Sequence, residues 1–497
     1  MKTIPSFSDF CSLAKEGAVI PVYREFLGDI ETPVSAYLKI KDKRYSYLLE
    51  SAEIGEEGRY SFIGYRPFLI IKAYENEVHV EKDGRIREIK GVWNPFDVLR
   101  KIAKSFSFIS LPEISPFQGG FVGYVNYDLI RKWERLPMIK PEDPAIPEFL
   151  FVVSKRLIIF DHLTHRIKVV SFAHIDGKRH LKEIYEEAEN EIDETVEELG
   201  SPIQEVCKTE PICVSELRSN FRKEQFEDAV RKAKEYIVSG EIIQVVLSQR
   251  FSAEIKGDDF LIYRHLRSIN PSPYMFYLNY ERIRLIGASP ETLVKVKDGK
   301  IEVRPIAGTR PRGEDIEADR ALEKELLSDP KERAEHIMLV DLGRNDVGRV
   351  SLPATVRVPR LMEIEKYSHV MHIVSVVEGR KRPDVDEFDV FMATFPAGTV
   401  SGAPKIRAME IIAELEGPSR GQYAGGVGYF GFNKNMDFCI TIRTAVRIDD
   451  RIFVQAGAGI VYDSIPEREY EETIRKSSAI FKAIERAAGN DTCHRQL

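Results

Sequence analysis

The sequence lacks the features that mark several classes of protein. It has 5 cysteines in 497 residues, and they are scattered without the spacing of a zinc site or of a disulfide framework. No apolar run reaches the roughly 18 residues of a membrane span. The N-terminal residues also lack the apolar segment of a signal peptide. We therefore expect a reduced, cytoplasmic protein with no membrane partner.

A large excess of charge of one sign is missing as well. The 72 basic and 79 acidic residues give a net charge of −7 that is spread along the chain. Proteins that bind nucleic acid concentrate positive charge on one surface, so this distribution argues against a nucleic-acid partner. The composition, 43% hydrophobic and 30% charged, is typical of a globular protein.

The length of the chain predicts more than one domain, because 497 residues exceed one ordinary core. Residues 1–205 and 215–488 both alternate strand patterns with helical ones, and the stretch 200–211 is typical of a linker. Residues 489–497 are predicted to form a tail. The predicted fold class is α/β (α+β-like), with antiparallel-rich sheets covered by helices.

Near the C-terminus, glycines are followed by a capping pattern. The segment Gly457, Ala458 and Gly459 predicts a turn between two strands, with backbone N–H groups exposed to a ligand. Ser464 and Glu467 have the spacing of a capping box at the start of the next helix.

Two carboxylates then fall on one face of that helix. Glu469, Glu472 and Lys476 have the i, i+3 and i+7 spacing that places side chains side by side. Carboxylates that enter a packed surface need a cation. Two interpretations stay open: a site for a metal and a carboxylate ligand, or a capped helix with a surface charge run.

A second pair of carboxylates repeats this geometry. Asp329 and Pro330 predict a helix start, and Glu332 could close a capping box with Asp329. Glu335 heads an apolar helix face, where a carboxylate needs a partner. Two such pairs could surround one hard cation with oxygen atoms, and Mg²⁺ fits such a site.

Three other segments carry candidate ligands. The small-residue loop Phe395–Lys405 opens a helix and suits an anion, although a plain helix-entry turn is the alternative. His369 and His372 have odd spacing on a predicted strand, so at most one faces a site. Arg443 suits a carboxylate clamp or a buried ion pair, and Tyr423, in a glycine-rich predicted strand, is a candidate hydroxyl ligand.

Taken together, these segments resemble the chorismate-utilising enzymes, most closely the branch of anthranilate synthase component I. The likeness covers nearly the whole chain. It is densest over 220–480, where the motifs occur in the order of the family: GASPE, PIAGTRPRG, ERAEHIMLVDLGRND, YSHVMH, PAGTVSGAPK, TIRTAV, QAGAGIV and EREYEET. The resemblance implies the two-domain chorismate-binding enzyme fold and a lyase of tryptophan biosynthesis.

The resemblance also implies roles for individual residues. The metal ligands would be Glu335 and Glu472, supported by Glu332 and Glu469, and the cofactor would be Mg²⁺. Glu291 would be the general acid for the departing 4-hydroxyl, and His372 and Thr399 would lie against the ring. The substrate carboxylates would bind to Gly308, Thr309, Tyr423, Arg443, Gly457, Ala458, Gly459 and Lys476.

Two positions separate the branches of the family. In aminodeoxychorismate synthases a lysine that attacks the ring stands where this chain has Ala307. Isochorismate and salicylate synthases use a lysine where this chain has Gln244, and an amide cannot act as that base. Both residues favour ammonia as the direct nucleophile. The chain shows no nucleophilic cysteine in a glycine elbow for hydrolysing glutamine, so the resemblance implies a glutamine amidotransferase subunit as partner.

A regulatory site for L-tryptophan is implied too. The family lines it with LLES, which ends here at Glu50 and Ser51, and with NPSPYMF. The second motif and a nearby strand would contribute Asn270, Pro273, Tyr274, Met275, Phe276 and Cys439. Residues 1–205 would then form the regulatory domain. An ordinary strand end and a proline-rich turn are the alternative.

Two other functions remain open from the sequence. One is an aminodeoxychorismate synthase component, which the product of the reaction would identify. The other is a catalytically inactive protein that senses tryptophan, although the presence of every expected carboxylate argues against it.

Overall fold

The computed structural model describes residues 2–40, 44–52, 58–82, 84–139, 146–203, 212–367 and 370–489. Part of the predicted linker, His369 and the predicted tail from residue 490 onwards lie outside these ranges.

The helices of the described residues are spread along the whole chain. In chain order they are α1 Phe7–Leu13, α2 Pro33–Ile40, α3 Phe96–Ser105, α4 Leu181–Gly200, α5 Lys223–Val238, α6 Phe260–Ile269, α7 Ile316–Ser328, α8 Pro330–Gly348, α9 Glu387–Thr394, α10 Lys405–Glu416 and α11 Pro466–Ala487. Among the helices described here, none combines the length and apolarity needed to cross a bilayer.

The strands lie mostly in runs between these helices. They are β1 Ala18–Leu27, β2 Ser46–Glu50, β3 Tyr60–Tyr74, β4 Glu77–Lys82, β5 Arg85–Lys90, β6 Ser107–Phe108, β7 Gly120–Val125, β8 Phe149–Asp161, β9 Arg166–His174, β10 Cys213–Val214, β11 Arg218–Ser219, β12 Gln244–Lys256, β13 Tyr274–Tyr280, β14 Ile283–Ser289, β15 Thr292–Lys297, β16 Lys300–Val303, β17 Ile306–Pro311, β18 Arg357–Lys366, β19 Val370–Arg380, β20 Gly402–Ala403, β21 Gly426–Gly431, β22 Met436–Ile440, β23 Thr444–Ile448 and β24 Arg451–Ile460.

Nearly all the strand pairs are antiparallel. One path of neighbouring strands runs from β12 through β24, β23, β14, β13 and β2 to β3 and β8. It continues from β8 through β7, β21, β22 and β15 to β16 and β19. The predicted class, α/β with antiparallel sheets covered by helices, is confirmed.

Strands from the first 205 residues pair directly with strands from the rest of the chain. Met275 of β13 lies opposite Glu50 of β2, and Gly428 of β21 lies opposite Gly123 of β7. The two parts therefore share backbone hydrogen bonds as well as side-chain contacts. The division into a regulatory domain at 1–205 and a catalytic domain at 215–488 stays a prediction about function.

Helix α11 covers β24 and packs against α6. Its buried positions recur every three or four residues, as in Thr473, Ser477, Ile480 and Ala483, so one stripe faces the core. The face that carries Glu469, Glu472 and Lys476 continues into this packed surface at Ala483, which is buried. Because the stripe is buried, the start of the helix is held in a fixed position beside the sheet.

Close backbone packing explains the glycines of strand β7. A Cβ atom added at Gly123 would overlap the carbonyl oxygen of Leu150 on β8. Neighbouring β-strands are about 4.8 Å apart, and their backbones cannot separate locally without breaking the ladder. Glycine is therefore required where β7 lies between β8 and β21.

Replacing Gly123 with Ala is expected to destabilise the fold by at least about 2 kcal/mol, because the new methyl group meets backbone that cannot yield. Gly200 is the matched control, since a Cβ added there meets nothing within 4 Å. Urea unfolding curves of the Gly123→Ala and Gly200→Ala variants measure the difference. Equal midpoints for the two variants would contradict the packing explanation.

Candidate functional site

Helix α8 begins as the sequence predicted. Asp329 caps it by accepting hydrogen bonds from the backbone N–H groups of Lys331 and Glu332, and Pro330 is the first helical residue. The Glu332 side chain does not return to the cap, because its carboxylate binds the Arg310 guanidinium at 3.1 Å. Arg310 also binds Asp329 at 3.1 Å. This arginine, which the sequence analysis missed, fixes the first turn of the helix.

Glu335 lies one turn further along α8 and faces β12. The amide Nε2 of Gln244 donates to its carboxylate at 2.9 Å. Gln244 is only 4% exposed, and its Oε1 atom has no hydrogen-bond partner in the described part of the chain. A buried carbonyl oxygen without a partner is costly, so the arrangement has capacity for a further polar group or ion.

The predicted glycine turn is wrong. Gly457, Ala458 and Gly459 lie within the continuous strand β24, opposite residues 246–248 of β12. The glycines serve a different purpose, because added Cβ atoms would lie 2.7 Å from the Tyr423 hydroxyl at Gly457 and 2.6 Å from the Gln244 amide nitrogen at Gly459. They leave room for two polar side chains over the strand.

The predicted capping box on α11 is also wrong. The helix starts one residue later, with Ile465 in the N-cap position and no side-chain cap. The Ser464 hydroxyl instead accepts from the backbone N–H of Val461 at 3.1 Å, and this closes a turn before the helix.

Three charged side chains, Glu469, Glu472 and Lys476, project from the first three turns of α11. The Lys476 ammonium lies 3.5 Å from Glu472 and donates to the Gly457 carbonyl at 3.0 Å. Burial lowers the pKa of Lys476, and the charges of Glu472 and Glu335 oppose that effect. Burial raises the pKa of Glu469, and the nearby Glu472 carboxylate adds to it. The two helices therefore direct their carboxylates toward one region.

The four carboxylates suit a hard cation by their chemistry, since Mg²⁺ prefers oxygen ligands and retains water molecules. Their spacing is not that of a closed cage: among the described residues, the one group of three candidate ligand atoms within 4.8 Å is Glu77, His79 and Glu88 on β4 and β5. Ligation of a metal by Glu335 and Glu472, with support from Glu332 and Glu469, therefore stays a prediction.

Glu291 lies between β14 and β15 and is 7% exposed. Burial raises the pKa of its carboxyl group to about 8, against the opposing effects of the Thr399 hydroxyl and the Lys476 charge. Glu291 and Thr399 line one small cavity together with Leu339 of α8. The site therefore contains a carboxyl group that is protonated at neutral pH.

His372 and Thr309 lie opposite each other on β19 and β17. The His372 Nδ1 atom is 3.0 Å from the Thr309 hydroxyl and 3.0 Å from the Gly308 carbonyl oxygen. Burial lowers the pKa of His372. The orientation of the ring is fixed by these contacts with β17.

Tyr423 and Arg443 lie outside the strands where the sequence placed them. Tyr423 is in the turn before β21, and Arg443 is between β22 and β23 with a φ of 50°. The Arg443 guanidinium donates to the carbonyl of Lys476. Burial raises the pKa of Tyr423 to about 12 and lowers the pKa of Arg443. Both side chains nevertheless reach the region of Gly457 and α11.

The two predicted tryptophan motifs are adjacent strands. Glu50 pairs with Met275, and its carboxylate accepts from the Tyr263 hydroxyl at 2.5 Å and from Arg267 at 3.2 Å. Ser51 lines a cavity whose other walls include Pro273, Tyr274, Pro290, Thr292 and Asp437.

The other predicted members of this pocket are spread around it. Met275 and Phe276 are both 1% exposed and belong to different hydrophobic clusters on the two faces of β13. Cys439 is buried in the same cluster as Phe276, and Asn270 ends α6. Binding of tryptophan by these residues stays a prediction.

Comparison with known proteins agrees with this geometry. The sequence profile of the chorismate binding enzyme family matches residues 45–482. The chain therefore belongs to this family of chorismate-utilising enzymes.

More specific relatives share one name. The chain is 48% identical to "Anthranilate synthase component 1" of Acetivibrio thermocellus, covering 97% of this chain and 99% of that protein. The protein of the same name from Aquifex aeolicus is 49% identical, covering 97% of each chain. The crystal structure of anthranilate synthase component I from Streptococcus pneumoniae superposes with a TM-score of 0.76 at 39% identity, covering 92% of this chain and 98% of that one.

The raised pKa of Glu291 predicts a pH-dependent effect of replacing it. Between pH 4.5 and about 8 the unfolded chain loses this proton while the folded chain keeps it, so Glu291 destabilises the fold increasingly as pH rises through that window. The Glu291→Gln variant should gain stability over the wild type from pH 5 to pH 8, by up to about 4 kcal/mol.

Thermal unfolding at several pH values measures this gain. Glu216, which is exposed, is the matched control, and Glu216→Gln should change stability little at any pH. A stability difference between Glu291→Gln and wild type that stays constant from pH 5 to pH 8 would show that the carboxyl group ionises normally.

Proposed function

We propose that this chain converts chorismate and ammonia into anthranilate, pyruvate and water, as the large subunit of an anthranilate synthase. The observation that carries the proposal is the burial of the Glu291 carboxyl group beside Thr399 in one cavity, which raises its pKa to about 8. A proton donor that stays protonated at neutral pH suits the departure of a ring hydroxyl.

The substrate carboxylates would bind to cationic and hydroxyl groups around β24. Lys476 and Arg443 would supply positive charge, with the Tyr423 hydroxyl over Gly457. Thr309 and Gly308 would contact the same ligand from β17. Tyr423 is buried, and this strengthens its electrostatic contacts relative to water.

A bound Mg²⁺ would supply a hard positive charge for the ring carboxylate. Glu335 and Glu472 would hold the ion, and Glu332 and Glu469 would support it directly or through water. The amide of Gln244 would keep one oxygen of Glu335 in place.

The reaction has two steps. Ammonia forms a C–N bond with the ring while the 4-hydroxyl leaves as water, taking its proton from Glu291. The pyruvyl ether bond then breaks and a ring proton is lost, so that pyruvate departs and the ring becomes aromatic. His372 and Thr399, predicted to lie against the ring, would orient it for both steps.

The direct use of ammonia follows from two side chains. Ala307 on β17 carries no amine that could attack the ring. Gln244 is held by Glu335 and cannot act as a base. Ammonia would come from a separate glutamine amidotransferase, since the relatives are each named as one component of an enzyme.

Inhibition by L-tryptophan is proposed from the position of its predicted pocket. Pro290 and Thr292 line the cavity beside Ser51 and Tyr274, and Glu291 lies between them in the chain. A ligand that moves this segment would therefore move the proposed general acid. Residues 1–205 would contribute the regulatory half of the pocket.

The product of the reaction tests the proposed function. The purified chain, given chorismate, Mg²⁺ and an ammonium salt without glutamine, should form anthranilate and pyruvate in equal amounts, and a chelator should stop it. A stable aminated ring that keeps its pyruvyl ether would assign the chain to the aminodeoxychorismate branch. Failure to consume chorismate would refute the proposal.

Filling the regulatory cavity should weaken inhibition by tryptophan while ammonia-dependent activity is retained. Ser51→Phe should raise the tryptophan concentration for half inhibition at least about tenfold, because the added ring occupies the cavity. Ser105→Phe, on an exposed helix end, is the control and should be inhibited like the wild type. Unchanged inhibition of Ser51→Phe would place the tryptophan site elsewhere.

A further inference from the structure

Arg420 is a buried arginine with no role in the family assignment made above. It follows α10, is 3% exposed, and forms a forked ion pair with Glu416, with Nε 2.8 Å and Nη2 2.6 Å from the two carboxylate oxygens. Glu416 also accepts from the backbone N–H and the hydroxyl of Ser248 on β12, at 2.7 and 2.9 Å. The pair is therefore rigid.

The remaining donors of the guanidinium hold two backbone segments of the candidate site. Nη1 donates to the carbonyl of Val400 at 2.7 Å, and Val400 follows Thr399. Nη2 donates to the carbonyl of Val246 at 2.7 Å, and Val246 lies opposite Gly459 in the sheet. One side chain thus links the Thr399 loop to the strand beneath the proposed substrate.

Two phenol rings enclose the same guanidinium. Its central carbon is 4.8 Å from the ring centre of Tyr127 and 5.4 Å from that of Tyr423. A cation over the face of an aromatic ring is attracted to the ring, and this contact restricts the tilt of the ring. The Arg420 charge also lowers the pKa of Tyr423 against the larger effect of burial, which makes the hydroxyl a better hydrogen-bond donor.

We propose that Arg420 is a positioning residue, which sets the Tyr423 hydroxyl and the Thr399 loop in register for one bound substrate. A buried ion pair is often no more stabilising than a well-packed apolar substitute. A contribution to stability therefore does not by itself explain why a buried arginine donates hydrogen bonds to Val400, Val246 and Glu416 at once. The inference rests on the proposed function, because the groups that Arg420 positions, Tyr423 and the Thr399 loop, are proposed to contact the substrate.

The test compares two equally buried arginines. Arg156 on β8 is also 3% exposed, pairs with Glu194 at 2.5 Å and lies 5.9 Å from the Tyr65 ring, but it contacts no proposed substrate ligand. Arg420→Lys should lower kcat/KM for chorismate at least about tenfold in the ammonia assay, since lysine cannot reproduce the planar fork. Arg156→Lys should remain within about twofold of the wild type.

A double-mutant cycle with Tyr423→Phe separates positioning from general damage. Each single variant lowers kcat/KM by some factor. If Arg420 acts partly through the Tyr423 hydroxyl, the factor for the double variant is smaller than the product of the two single factors, by about fivefold or more. Independent losses that multiply would overturn this role.

A folding defect does not prevent the test. If Arg420→Lys does not fold, Glu416→Gln keeps the shape of the pair and removes its negative charge, with Glu194→Gln as its control. The expected result is again a selective loss of kcat/KM in the first variant.

The outcomes distinguish the two proposals. A wild-type chain that never consumes chorismate refutes the proposed function, and the positioning role with it. An active wild type whose Arg420 and Glu416 variants match the Arg156 and Glu194 controls refutes the positioning role alone.

Discussion

The antiparallel pairing of β12 with β24 is the interaction on which the site depends. It aligns residues 245–254 with 451–460, so Gln244 at the start of one strand lies next to the glycines of the other. Helix α11 follows β24 after a short turn, and this brings Lys476 close enough to interact with both Glu472 and Glu335. A larger residue at Gly459 would have to displace the Gln244 amide, which donates to Glu335.

Burial of ionisable groups gives the site its chemistry. Removing Glu291 from water favours its protonated form. Lys476 and Arg443 are partly buried, and the negative charge of Glu472 opposes the cost of burying their positive charges. The protonated Glu291 and the charged Lys476 can therefore lie near each other, because burial stabilises the neutral acid and Glu472 stabilises the lysine. Deeper in the protein, Arg420 donates four hydrogen bonds, to Glu416 and to the carbonyls of Val400 and Val246, and so holds the surrounding backbone.

Local patterns in the sequence predicted the parts of the structure that local forces determine. The Asp329 cap, the amphipathic stripe of α11 and the close packing at Gly123 follow from propensity, periodicity and sterics. The sequence did not predict that residues 457–459 form part of a strand. Gly457 is needed because the Tyr423 hydroxyl, from a turn distant in the sequence, packs against it, and no local pattern reveals that contact. Arg420 gave no local signal, since its donors bind segments that are far apart in the sequence. The candidate site was predicted from the occurrence of all the family motifs in the family's order, rather than from any single motif.

A crystal structure of the chain with chorismate and Mg²⁺, without ammonia, tests the central claim most directly. The account predicts an ion between Glu335 and Glu472, with the ring carboxylate on it and the 4-hydroxyl within hydrogen-bond distance of Glu291. Chorismate bound elsewhere, or a ring whose 4-hydroxyl faces away from Glu291, would contradict the account.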